Sequence, residues 1–228
     1  MKKSVLETKN LNDLAYNEIM KRIISREYVP GQRLVDSQLA EDFGISRTPI
    51  RDAMRKLTED GLLTNTSSRG FYVFRPTPKD VEEIFELSEM IELTAAKKII
   101  RILSGREYAS MEEKLSLLSE KANDTASIEA DEEFKRYLIE LSDNSRLYDV
   151  YKKNLIQRRL LARIIFFNYT EGTAFEVRKE RSRMVHEKIV FGIRNRDENI
   201  TREAITEHTN LGITEAMDYI AELNAEKN

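Results

Sequence analysis

Arg47, Thr48, Arg51 and Arg55 are the side chains of this 228-residue sequence whose types and spacing point most directly to chemistry. They interleave with Ile50, Ala53, Met54 and Leu57, which fall at i, i+3, i+4 and i+7 and mark the buried stripe of a helix. With that stripe buried, Arg47 and Arg51 lie one turn apart and project together from the opposite, N-terminal surface. A guanidinium is a planar fork that can bond guanine O6 and N7 at once. The free N–H groups at a helix start favour phosphate. These types in this order suit a helix that enters the major groove of DNA N-terminus first. The competing reading is a solvated helix face, with Arg55 paired to Asp52 or Glu59.

A second constellation lies far along the chain. Asp131 can be joined by His186 and His208, the only two histidines present. One carboxylate and two imidazoles make a divalent-cation set, for Zn, Mn or Ni, if the fold brings them together. Both histidines neighbour apolar stripes, His186 with Ile189, Val190 and Ile193, and His208 with Ala204 and Leu211. A hydrogen-bonded core role therefore competes with ligation.

The elements that must position these residues can be read from punctuation and period. A helix is expected from Leu14 to Ser25, with Ile19 and Ile23 on its buried face, before a turn at Pro30-Gly31. Asp36 is expected to cap a short helix carrying Leu39, Ala40 and Phe43, which Gly44 ends. Ser46 caps the arginine-bearing helix, with Pro49 in its first turn and Gly61 closing it. Two strand-like runs follow, Leu62 to Thr64 and Phe71 to Phe74, joined by 65–70, so that Arg69 and Gly70 at the tip can lie against the sugar-phosphate backbone or the minor groove. Helix, helix, tight turn, helix and hairpin is the order of a winged helix-turn-helix.

All four prolines lie in the first 78 residues, and Arg75-Pro76-Thr77-Pro78 reads as a semi-rigid connector. Thr77 is placed to cap the next helix, with Pro78 at its first position and Asp80 in its first turn. Beyond it, Val81, Ile84, Phe85, Ile91, Ala95 and Ile99 stripe one helix. Further helices are expected near 107–122, 126–141, 145–168, 174–195 and 200–224. The expected fold is mainly α: a winged helix-turn-helix with a small β-hairpin wing over 1–75, a linker at 76–79, and an all-helical bundle for effector binding and dimerisation over 80–228.

Composition narrows the function. Residues 1–76 hold 13 Lys+Arg against 10 Asp+Glu, and the remainder 24 against 30, within a net charge of −3. A basic head on an acidic body suggests one segment facing a polyanion, while the overall acidity speaks against a non-specific DNA coat. No apolar run approaches the roughly 18 residues of a membrane helix, no signal peptide is evident, and cysteine is absent. A cytoplasmic protein without membrane partners is expected. Gly-x-Ser-x-Gly, Gly-x-Gly-x-x-Gly and His-Glu-x-x-His patterns are missing, so no enzymatic activity is expected.

The stretch Leu39-Ala40-Glu41-Asp42-Phe43-Gly44-Ile45-Ser46-Arg47-Thr48-Pro49-Ile50-Arg51-Asp52-Ala53-Met54-Arg55-Lys56-Leu57, continuing to Asp60-Gly61-Leu62-Leu63 and Arg69-Gly70, closely resembles the GntR family of transcription regulators. The resemblance covers about 60 residues and implies operator binding by a dimer. Arg47, Thr48 and Arg51 would be the main contacts, with Ser37 and the wing tip Ser67–Gly70 assisting. Together with Ser46 and Arg55, these complete the expected DNA-facing set.

Asp131-Glu132-Glu133-Phe134-Lys135, then Leu141-Ser142-Asp143-Asn144, His186 and Glu207-His208-Thr209 resemble the FCD effector domain of the FadR subfamily. That resemblance implies a metal held by an aspartate and three histidines, which in turn binds a carboxylate effector. Asp131, His186 and His208 match three ligand positions. The fourth is Lys135, and Ser88 stands where the family usually carries an effector-binding arginine four residues before Glu92. Two readings of Lys135 follow: its ammonium takes over the metal's charge, so that the pocket binds an acidic effector directly or binds something different, or it merely pairs with Asp131. The expected effector pocket is Ser88, Asp131, Lys135, His186 and His208. The whole reads as a ligand-responsive regulator, a repressor of a metabolic operon that binds a pseudo-palindromic double-stranded operator as a homodimer and senses a small organic acid.

Overall fold

The structure, a computed structural model, describes residues 5–66, 70–120, 124–167 and 173–225. The chain packs as two compact units, one ending at Pro76 and one beginning at Thr77.

In the first unit, α1 (Val5–Ile24) buries Ala15, Ile19 and Ile23, one turn apart on a single face. The helix begins nine residues before the expected Leu14, and Leu14 itself is exposed. The buried stripe alone marked the expected start, whereas the backbone needs only a breaker-free run to continue. Helix α2 (Asp36–Asp42) buries Leu39 and Ala40, and Gly44 then adopts φ +64 to turn the chain. Helix α3 (Arg47–Glu59) buries Pro49, Ile50, Ala53, Met54 and Leu57, the expected stripe. It packs against α1 and α2. Burying a large aliphatic side chain of this kind contributes roughly 1.5–3 kcal/mol.

Two local expectations are corrected. Asp36 is not the cap of α2: Val35 holds that position in extended conformation, and Asp36 is the first helical residue. Ser46 does occupy the N-cap of α3, but its side chain makes no capping hydrogen bond.

The wing has three strands rather than two. β1 (Arg33–Leu34), β2 (Leu63–Thr66) and β3 (Gly70–Val73) form an antiparallel sheet in the order β1-β3-β2. Arg33 faces Tyr72 and Leu63 faces Val73 across it. β1 was illegible because two residues carry no period. It exists through tertiary pairing, with Gly31 N donating to Val73 O and Val73 N donating to Gln32 O, each at 2.9 Å.

In the second unit, α4 (Pro78–Ile102) opens with the full capping box: Thr77 N donates to Asp80 Oδ2 at 2.8 Å, and Asp80 N donates back to Thr77 Oγ1 at 3.2 Å. It is followed by α5 (Gly105–Glu120), α6 (Asp124–Leu141), α7 (Ser145–Phe167), α8 (Thr173–Arg194) and α9 (Glu198–Ala225). Asn144 Oδ1 caps α7 through Leu147 N, and Asp197 Oδ1 caps α9 through Asn199 N and Ile200 N. Helix α4 lies against α6, α7 and α9, and α8 against α9. Ile91, Ala95, Ile99, Phe134, Leu138, Ile189 and Ile193 form the centre of the core. Among the described residues no helix is long and apolar enough to cross a membrane.

Candidate nucleic-acid interface and candidate metal centre

The exposed face of α3 is organised by a carboxylate from α2. Asp36 Oδ2 receives Arg51 Nε at 2.6 Å, and its Oδ1 receives Arg47 Nη2 at 2.9 Å. Because α3 follows α2 after a tight turn, the first residue of one helix faces the first two turns of the other. Asp36 is mostly covered, at 14% side-chain exposure, while Arg47 and Arg51 stay 58% and 57% exposed. Burial pushes the Asp36 carboxyl up, but bonding to Arg47 and the charges of Arg47 and Arg51 hold it below its ordinary value. It is therefore ionised near neutrality. The pair is worth little as stabilisation, about 0–1 kcal/mol for exposed partners. Its effect is orientation, since two flexible guanidinium groups are held side by side with most of their surface free.

Ser37, Ser46 and Thr48 are exposed at the same end. Arg55 lies farther along α3, 3.7 Å from Asp52, the loose helix-face pairing anticipated for it. Of the expected wing residues, Ser67 and Arg69 lie outside the described residues. Gly70 opens β3 at φ +93, beside the Arg33 side chain. Arg33 was not singled out in the sequence, because only the pairing of β1 with β3 brings it to the wing.

In the helical unit, α6, α8 and α9 converge three side chains. Asp131 Oδ1 lies 2.9 Å from His186 Nε2 and 3.6 Å from His208 Nε2. One donor atom from each residue falls within 4.8 Å of the others. His186 is fixed from behind: its Nδ1 is 2.7 Å from Ser182 O, a carbonyl that only accepts, so Nδ1 carries the proton. Its ring meets Phe134 and His208 edge-on, with centroids 5.1 and 4.5 Å away. Asp131 Oδ1 and His186 Nε2 are close but not aligned for a hydrogen bond, and each is buried without a partner. Two ligands held cis on one ion by bonds of about 2.0–2.2 Å are separated by roughly 3 Å. The donor set thus fits a divalent cation.

Lys135 completes the cluster. It is 5% exposed, and its Nζ donates to Asp131 Oδ2 at 2.8 Å, while the two histidines approach Oδ1. Burial pushes Asp131 up, but the Lys135 ammonium holds it well below the usual carboxylate range. Burial, with Lys135 and His186 adding to it against Asp131, pushes His208 well below the imidazole range. It is therefore uncharged near neutrality, with one ring nitrogen carrying a free lone pair.

Ser88 is buried on α4 but bonds elsewhere: its Oγ donates to Ile84 O at 2.9 Å and accepts from Asn154 Nδ2 at 2.6 Å. Asn154 and Arg158 on α7 were not foreseen. Nothing in their spacing distinguishes them from other polar residues of a helix, and their surroundings are set by packing on α4.

The chain thus carries a winged helix-turn-helix unit and a helical unit that holds an Asp-His-His set. Residues 11–73 match the family described as "Bacterial regulatory proteins, gntR family", and residues 83–211 match the FCD domain. The chain belongs to the GntR family, as a transcription regulator with an FCD domain. It is 31% identical over 202 residues to the HTH-type transcriptional regulator YdhC of Bacillus subtilis, covering 86% of each chain. It is 23% identical over 222 residues to the HTH-type transcriptional repressor RspR of Escherichia coli K12, covering 96% of this chain and 94% of that one. Among solved structures it shares the fold of E. coli McbR/YncC, with TM-score 0.66, 19% identity, and 96% and 99% coverage. It likewise shares the fold of a GntR regulator from Rhodococcus sp. RHA1, with TM-score 0.68, 18% identity, and 91% and 97% coverage.

Proposed function

We propose that this protein is a ligand-responsive, sequence-specific repressor of a metabolic operon that binds double-stranded operator DNA through α3 and senses a small organic acid in its helical unit. The observation that carries the DNA-binding half is the pair Arg47 and Arg51, oriented by Asp36 yet more than half exposed. Arg47 and Arg51 read base edges. Thr48, Ser46 and Ser37 bond phosphates, Arg55 adds charge behind them, and the wing tip Ser67, Arg69 and Gly70 follows the backbone. A single recognition helix gives modest affinity, so the working form is a homodimer on a pseudo-palindromic site, with residues 1–75 as the head and 80–228 as the sensing and dimerising body. The repressor reading is supported by the similarity to RspR, itself a transcriptional repressor. The protein works in the cytoplasm, where its DNA is, and the helical unit senses rather than catalyses.

Within the helical unit, Asp131, His186 and His208 would hold a divalent metal, Zn, Mn or Ni, which supplies a Lewis-acid centre for an anionic ligand. Lys135 occupies the fourth ligand's place and shares the Asp131 carboxylate, which weakens the metal's hold without closing the site. Asp131, Lys135, His186 and His208 form the polar wall of the effector pocket, with Ser88 on the neighbouring face. A second reading is favoured by the buried Lys135–Asp131 bond: the ammonium supplies the positive charge itself, and no metal is needed.

Metal analysis after incubation with each ion separates the two. One equivalent retained through gel filtration and lost in Asp131→Ala supports the metal. No retention, with effector binding abolished by Lys135→Ala, supports the ammonium.

A further inference from the structure

Helix α7 carries two polar side chains whose hydrogen bonding the fold leaves incomplete. Asn154 is 5% exposed, and its Nδ2 donates to Ser88 Oγ at 2.6 Å and to Ile84 O at 3.4 Å. Ile84 O only accepts and so faces the NH2 group, and Ser88 Oγ, whose own proton goes to that same carbonyl, accepts the other N–H. In this arrangement Asn154 Oδ1 is an acceptor, buried and without a donor. One turn on, the Arg158 guanidinium lies over the Phe85 ring, 4.4 Å from its centroid, and Arg158 Nη1 is buried without an acceptor. A charged donor and a bare acceptor thus sit at i and i+4 on one face of α7, opposite the 84–88 turn of α4.

Buried polar atoms without a protein partner are unfavourable and uncommon. Two of them a helical turn apart are complementary to a ligand that carries both an anion and a donor. They also stand near the Asp131 cluster. Phe85, which underlies Arg158, is packed against Gly212 on α9, where an added Cβ would come within 2.7 Å of the ring's Cζ. Gly212 is one turn from His208. The positive charge of Arg158 reaches His208 and Tyr151.

We infer that Arg158 and Asn154 form the specificity subsite for the sensed molecule: Arg158 takes a carboxylate, and Asn154 Oδ1 takes a proton from a hydroxyl or ammonium group on the adjacent carbon. The ligand class is a small hydroxy acid or amino acid, as opposed to a plain carboxylic acid. This inference rests on the reading that the helical unit senses an organic acid, and it adds which one. Ser88, bonded to Ile84 O and to Asn154, anchors the amide that discriminates.

Isothermal titration of the full chain with L-malate and succinate, L-lactate and propionate, and L-alanine tests it. The wild type binds at least one hydroxy or amino acid about tenfold or more tighter than its plain analogue. Arg158→Gln weakens both members of that pair by a similar factor, and Arg158→Lys restores part of the loss. Asn154→Leu, or Asn154→Ser if the first does not fold, makes the two members equal. Equal binding of hydroxy and plain acids by the wild type overturns the subsite. So does wild-type behaviour of Arg158→Gln and Asn154→Leu beside a Lys135→Ala variant that loses binding, an outcome that leaves the sensing reading standing. Failure of every acid to bind the wild type overturns both.

Discussion

Asp36 and Arg51 are joined at 2.6 Å, and Arg47 shares the same carboxylate from the other side. The first residue of α2 thus orients the base-reading face of α3. Asp36→Asn keeps the shape and removes the charge. The variant is expected to fold with a stability loss of no more than about 1 kcal/mol. It should also bind random DNA more tightly, because one negative charge has gone, while its preference for the operator falls. Competition titrations against operator and scrambled duplexes measure both. An unchanged preference would mean that Asp36 does not orient the arginines.

Arg51→Ala is expected to cost about 1–3 kcal/mol on the operator and to relax selection at one base pair. Ser37→Ala, by contrast, should weaken all sequences nearly equally, as a phosphate contact does. Affinity measured across a set of single-base operator variants distinguishes the two patterns.

The pH dependence of the head follows from Asp36. Its carboxyl is held below its unfolded value, near 3.9 for aspartate, so its contribution is present above that value and is lost as pH falls through the lower folded value. Urea unfolding of wild type and Asp36→Asn should therefore differ at pH 5 and converge as pH falls below about 4. A gap that does not narrow as pH falls below about 4 contradicts the assignment.

Lys135→His supplies the missing fourth ligand. Metal affinity is expected to rise at least about tenfold, a change of the size that metal-site substitutions produce. Competition with a chelating dye reads it. Unchanged affinity would show that position 135 does not face the cation.

Gly192→Ala tests the close approach of α8 and α9. An added Cβ would sit 2.8 Å from the backbone N of Thr201 and 3.1 Å from its Cα, atoms that cannot move aside like a flexible side chain. Overpacking of this kind costs about 1–3 kcal/mol, and thermal unfolding should move down by several degrees. A wild-type midpoint would show that the two helices are free to separate.

Much of this was legible in the chain itself. The stripe Ile50, Ala53, Met54 and Leu57 placed α3 and, by opposition, Arg47 and Arg51, because a single helical period specifies both faces. Thr77-Pro78 with Asp80 marked the start of α4 because capping chemistry is local. Asp36 was misread as a cap. A short acidic residue before a helix has that local use, and only the packing of α2 on α3 offers it two guanidinium groups instead. β1 and Arg33 were invisible because their order comes from β3, some forty residues away. The Asp131, His186 and His208 set was nameable from residue type, but its closure depends on three helices converging. Arg158 and Asn154 have no local signature at all. Their meaning lies in the atoms that packing leaves without partners.

The central claim is that the α3 face reads sequence. Fluorescence anisotropy at about 0.15 M salt, with a duplex selected from the promoter of the protein's own operon and a scrambled duplex of equal length, tests it most directly. The expected result is binding at least about a thousandfold tighter to the selected duplex, with the preference collapsing in an Arg47→Ala, Arg51→Ala double variant. Equal affinity for both duplexes, or a preference that survives loss of both arginines, would contradict it.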